Sequence, residues 1–161
     1  MIAVSSDAVF SGCRTFRYTL RRIWNVGKPL VTFVGLNPST ADESIDDPTV
    51  RRCAGFAARW GFGGLILTNI FAYRSTDPKA LLLCNDPIGP ENDYWIQDAS
   101  RSAQATIVAW GIHGRMFNRE NAVLAQLKVP YCLGTTKGGC PRHPLYLSGN
   151  TRRRRFFGLT G

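Results

Sequence analysis

LVTFVGL at residues 30–36, followed at once by NPSTAD at 37–42, is the stretch on which the fold turns. A short continuous apolar run suits a strand buried on both faces, the kind that parallel sheets use. Asp46-Asp47-Pro48 then supplies a helix N-cap with proline in the first turn. Val50, Cys53, Ala54, Ala57 and Trp60 recur at helical spacing, and glycines at 61, 63 and 64 stop the helix. A second apolar run, LILTNIF at 65–71, follows directly. Strand, helix, strand is the unit from which parallel sheets are built.

The alternation continues outward. Pro90 and the acidic Glu91-Asn92-Asp93 open a second helix expected to run to about Gln104, acidic residues being favourable at a helix's positive end. TIVAWG at 106–111 reads as a third strand, 116–128 as a helix, and 130–133 as a short fourth strand. Before the core, FRYTLRRIW at 16–24 alternates apolar with polar residues, as a half-exposed strand does. The expectation is an α/β protein: a three-layer α/β/α sandwich on a central, mainly parallel four-stranded sheet. It would be one domain over 1–161, with a strand-rich extension at 1–29 and a basic segment at 149–161.

In such a sheet the C-terminal ends of the strands share one edge, where ligands bind. The segments following the strands are 37–42, 72–77, 112–115 and 135–143, and they hold nearly all the chemically capable loop residues. The site is therefore expected on that edge. Asn37, after Gly35-Leu36, presents a carbonyl and an amide suited to a water or a sugar-phosphate, or else Asn-Pro simply makes a turn. Asn69, near the end of the second strand, offers an acceptor and two donors to the edge of a base, or satisfies backbone groups in the sheet. His143, held by Pro144, suits donation to a departing oxygen anion, or is a structural histidine. GTTKGG at 134–139 lacks the spacing of a triphosphate loop and leads into no helix.

Composition narrows the classes. The five cysteines are odd in number, no pair has CxxC spacing, and His113 is the only other histidine, so no metal site or cofactor is expected. No apolar run approaches the ~20 residues of a membrane span. The first ten residues lack a basic region followed by an apolar stretch, which argues against a secretory signal and for an intracellular, cytoplasmic location. The net charge of +9 is unevenly spread: from Asn121 onward there is no acidic residue and seven basic ones, Lys128, Lys137, Arg142 and Arg152, Arg153, Arg154 and Arg155. That concentration is the footprint of a polyanion binder, and equally of a solvated tail.

GLNP after the first strand, LTN after the second, AWG at the third and HPLYLS at 143–148 resemble, in order, the motif series of the uracil-DNA glycosylase superfamily. Over nearly its whole length the chain is still more similar to the domain-of-unknown-function family sixteen-forty-three, through NPSTADESIDDPTVRRC, RWGFGGLILTNIFAYRSTDP and IGPENDYW. The superfamily resemblance implies an α/β/α fold and hydrolysis of the N-glycosidic bond of a flipped base in DNA. It implies roles too. Asn37 would position the attacking water, and His143 would stabilise the leaving base. Asn69, Phe71 and Tyr73 would hold the base, and Leu147 would fill the vacated stack. Ser39, Lys137, Arg142, Ser148 and the arginines 152–155 would contact phosphates. Tyr146 and the cluster Asp42, Glu43, Asp46 and Asp47 have no counterpart in that pattern; the carboxylates are expected to cap the helix, or else to accept a proton or cation in a different reaction. Three readings stand open: a glycosylase-like hydrolase, a nucleic-acid-binding module of the same fold, and an enzyme of free nucleotides.

Overall fold

A computed structural model describes residues 3–158. It is an α/β protein with a mixed seven-stranded sheet and three α-helices. The strands are β1 (Ser5–Phe10), β2 (Arg17–Ile23), β3 (Leu30–Gly35), β4 (Gly64–Asn69), β5 (Ala105–Val108), β6 (Pro130–Cys132) and β7 (Arg154–Arg155). Their spatial order is β1-β2-β4-β3-β5-β6-β7. β4, β3, β5 and β6 pair in parallel, and they are the four strands read from the sequence.

The expected sheet was too small. β2 pairs antiparallel with β4 and carries β1 on its outer side, so the N-terminal segment belongs to the main sheet. At the other edge β7 pairs antiparallel with β6, placing Arg155 opposite Tyr131 and Arg154 opposite Cys132. The sheet is mixed because these edge strands return on the parallel centre.

The helices are α1 (Pro48–Arg59), α2 (Asn92–Ser102) and α3 (Arg119–Leu124). Asp47 caps α1, its carboxylate accepting from the Val50 amide at 2.9 Å, with proline at the start. Val50, Cys53, Phe56 and Ala57 pack on Val31, Phe33, Leu65, Leu67 and Ile107 in one core cluster. The alternate residues Val34 and Val108 join Ile96 of α2 and Val123 of α3 in a second cluster. Period-2 alternation along β3 and β5 thus sends successive side chains to two separate cores. α3 is much shorter than the 116–128 expected: Phe117 and Asn118 adopt left-handed backbone (φ 57° and 54°) and delay its start, and past Leu124 the amides of Gln126 and Leu127 bond three residues back, to Val123 and Leu124, ending it.

The acidic cluster is consumed locally. Asp42 accepts from the amides of Ser44 and Ile45, Asp46 pairs with Arg22 at 2.8 Å, Glu43 pairs with Arg14 at 3.0 Å, and Asp47 caps α1. No helix of the described residues is long and apolar enough to cross a membrane.

Candidate functional site

A cavity of about 430 Å³ opens at the C-terminal ends of the parallel strands. The segments after β3, β4 and β5 line it, together with the start of α1 and residues 143–146. Of the residues chosen from the sequence, Asn37, Ser39, Asn69 and His143 meet there.

Asn69 is the last residue of β4 and only 4% exposed. Its side-chain nitrogen has no hydrogen-bond partner among the described residues. Its backbone, by contrast, is pinned: Asn92, fully buried at the start of α2, donates to the carbonyls of Asn69 (2.8 Å) and Ile70 (3.1 Å). Arg119 adds a third bond to the Ile70 carbonyl at 2.7 Å. Gly35 lies beside Asn69 in register, and a Cβ there would sit 2.8 Å from the Asn69 side-chain oxygen, Oδ1. The glycine of GLNP makes room for this amide. A buried, unpaired donor on a rigidly held strand end is costly unless a ligand completes it.

Asn37 is half-buried, and its amide nitrogen donates to the carbonyls of Ser75 (3.0 Å), Pro38 (3.2 Å) and Tyr73 (3.4 Å). It ties the loop after β3 to the loop after β4. With the nitrogen so engaged, the side-chain carbonyl is the group left for a water or ligand.

His143 reaches the cavity because backbone bonds from Gly111 to Pro141 (2.8 Å) and from Arg142 to Gly134 (2.9 Å) bring its segment against the end of β5. Gly111 has φ +76°, and a Cβ there would lie 3.9 Å from that of His143. His143 Nδ1 accepts from the Leu145 amide at 3.2 Å, which leaves the proton on Nε2. Burial lowers its pKa below the ordinary histidine value, while nearby Asp47 opposes the shift. The ring is thus a neutral donor at neutral pH. Arg52 of α1 steadies the turn by donating to the carbonyls of Pro144 and Leu147.

Other sequence choices lie elsewhere. Phe71 is fully buried in the second core cluster, edge-on to Phe117. Tyr73 lines a neighbouring shallow groove with Arg14, Arg74 and Ser39. Leu147 is half-buried against the α1-side core, and the apolar side chains exposed at the cavity are Leu145, Tyr146 and Ile112. Ser148 is exposed and bonds Asn150, Lys137 is exposed, and Arg142 donates to the Tyr146 carbonyl. The arginine run is an ordered edge with divided directions. Arg153 lies over the rings of Trp60 and Phe62, Arg154 reaches Thr135, and Arg155 lies over Phe157. Arg152 is exposed.

Other cavity residues were not chosen from the sequence, among them Arg17, Trp110 and Cys53. Arg17, 2% exposed, lines the floor from β2; its place in an alternating strand gave it the look of a solvent-facing position. Trp110 is buried, donating from its indole to Glu120 at 3.1 Å. Cys53 is fully buried on α1, and burial pushes its thiol pKa up. Among the described residues no cluster of three or more His, Cys, Asp or Glu side chains has the arrangement to hold a metal ion.

The fold and the cavity together define an α/β protein with a ligand-sized, donor-lined pocket at the carboxyl edge of its parallel strands. The chain belongs to the family described as protein of unknown function DUF1643, whose profile matches residues 17–145. No curated protein and no solved structure matches it.

Proposed function

We propose that this chain is a glycosylase-like hydrolase that takes an extruded base of DNA into the cavity and cleaves its N-glycosidic bond. The observation that carries the reading is the unpaired, 4%-exposed Asn69 amide at the cavity wall. An amide fixed on a strand end suits the acceptor edge of a base. His143 supports it as a neutral donor held against the end of β5, suited to charge developing on the departing base. The Asn37 carbonyl is the acceptor for an attacking water; asparagine is a poor general base, so leaving-group stabilisation would carry most of the barrier lowering. The stack-filling part falls to Tyr146, 76% exposed at the cavity, in place of Leu147. The parallel order β4-β3-β5-β6 at the centre of the sheet supports this reading, because it brings Asn37, Asn69 and His143 to one edge.

A second reading, a binding module without turnover, is favoured by the Asn37 amide nitrogen, which is engaged in holding two loops together. One assay separates them. Oligonucleotides carrying uracil, mismatched thymine and oxidised or alkylated pyrimidines are scored for abasic sites by alkaline cleavage, with Asn37→Ala, Asn69→Ala and His143→Ala alongside. Release by the parent that is lost in His143→Ala and Asn69→Ala supports the hydrolase. Salt-sensitive DNA binding with no release from any substrate overturns it in favour of the module.

A further inference from the structure

Among the described residues three arginines are almost completely buried: Arg17, Arg22 and Arg119. Two of them are satisfied. Arg22 pairs with Asp46 at 2.8 Å and donates to the carbonyls of Asp7, Arg21, Asp42 and Ile45. Arg119 pairs with Asp93 at 2.6 Å and donates to the Ile70 carbonyl.

Arg17 is different. Its side chain makes a single hydrogen bond within the described residues, from Nη1 to the Ala41 carbonyl at 3.0 Å. Its Nε is buried without a partner, and no carboxylate forms an ion pair with it. Asp47, the carboxylate among the residues lining the cavity, spends one oxygen on the α1 cap. A guanidinium carries five donors in a planar fork that matches carboxylate and phosphate oxygens. Burying one largely unpaired is unfavourable, and an anion arriving with the ligand removes the penalty. Arg17 lines the same cavity as Asn69, so a buried guanidinium Nε and a buried amide nitrogen, each without a hydrogen-bond partner among the described residues, belong to one site.

We propose that Arg17 is an anion subsite of this cavity, and that the ligand carries an oxyanion seated on its guanidinium fork. Burial lowers the Arg17 pKa to about 10 against the opposing pull of Asp47, so the side chain stays charged at neutral pH. The oxyanion has two possible sources, an acidic substituent on the base itself or the phosphate of a mononucleotide. The inference rests on the proposed function only in placing a base at Asn69.

The test is calorimetric titration of the full chain with uracil, uracil-5-carboxylate, uridine 5′-monophosphate and inorganic phosphate. One charge-assisted contact made on binding corresponds to about tenfold or more in affinity. The expected result is that an anionic pyrimidine binds at least about tenfold tighter than uracil, and that Arg17→Gln equalises the two. Preference for the carboxylate assigns the charge to the base. Preference for the monophosphate, with inorganic phosphate competing, assigns it to the nucleotide. Equal binding of neutral and anionic ligands by the parent, no binding of either anion, or a preference that survives in Arg17→Gln overturns the proposal. The parent comparison stands whether or not the variant folds. Anion preference without base release would sink the hydrolase and leave the subsite; release of neutral uracil without anion preference would do the reverse.

Discussion

Replacing Asp47 with alanine and, separately, with asparagine divides the helix cap from the charge in the cavity. The Asp47 carboxylate accepts from the Val50 amide at 2.9 Å and is 9% exposed. Asparagine caps about as well as aspartate, so Asp47→Asn keeps that bond, whereas alanine removes it at a cost of about 1 kcal/mol. In a chain of this size about 1 kcal/mol corresponds to roughly 2–4 °C in melting temperature. Asp47→Ala should therefore melt roughly 2–4 °C below Asp47→Asn by calorimetry at pH 7. Both variants also remove the carboxylate that pulls the His143 and Arg17 pKa values upward. With burial left unopposed, the His143 midpoint should fall further below the ordinary histidine value in both, followed by NMR of the ring Cε1 proton. Two variants melting within half a degree (~0.5 °C) would refute the cap's contribution to α1. An unmoved His143 midpoint would refute the electrical link between Asp47 and the cavity.

Three further outcomes follow from the same geometry. In the parent, His143 prefers its neutral form in the folded state, so its contribution to stability is complete above the unfolded histidine pKa. That contribution is lost as pH falls through the lower folded value; urea unfolding between about pH 7.5 and 5 should show it against His143→Gln, and a difference that grows on acidification would contradict it. Cys13 is exposed, with Thr15 Oγ1 3.1 Å and Ser11 Oγ 3.6 Å from its sulfur, and these hydroxyls, Thr15 foremost, lower its pKa to about 7. Alkylation of Cys13 by iodoacetamide should rise to half its maximal rate near that pH, and Thr15→Val should move the midpoint up. Gly35→Ala would press a methyl to 2.8 Å from the Asn69 side-chain oxygen, Oδ1. Ligand affinity should drop about tenfold through the displaced amide, and an unchanged affinity would remove Asn69 from the site.

The centre of the fold was open to reading because its signals are local. Apolar runs marked β3 and β4, and Asp47-Pro48 marked the start of α1 within a residue. The edges were not. SSDAVF opens with three polar residues, and Arg154–Arg155 has no alternation at all; each is a strand only because a neighbour offers it a hydrogen-bonding edge. The candidate site divides in the same way. Asn69 and His143 end up in the cavity because chain order and strand direction placed them there. Phe71, two residues past the end of β4, packs in the second core cluster instead, because the apolar run LILTNIF does not say which of its side chains turns into the core. Arg17 went unseen because its alternating segment reads as half-exposed, while in the folded chain β2 is flanked by β1 and β4 and by the loop carrying Ala41. Burial of that kind is tertiary and leaves no trace in local spacing.

β7 also bears on how copies of this chain meet. An outer strand offers unpaired amide and carbonyl groups to any passing strand, which is how sheets of different molecules fuse into aggregates. Here that strand is two residues long, and both Arg154 and Arg155 are exposed. A second molecule approaching edge to edge finds almost no backbone to copy and meets its own positive charge. Arg154 and Arg155 thus make the β7 edge a poor template for another strand, which leaves the six-residue β1 as the longer edge of the sheet.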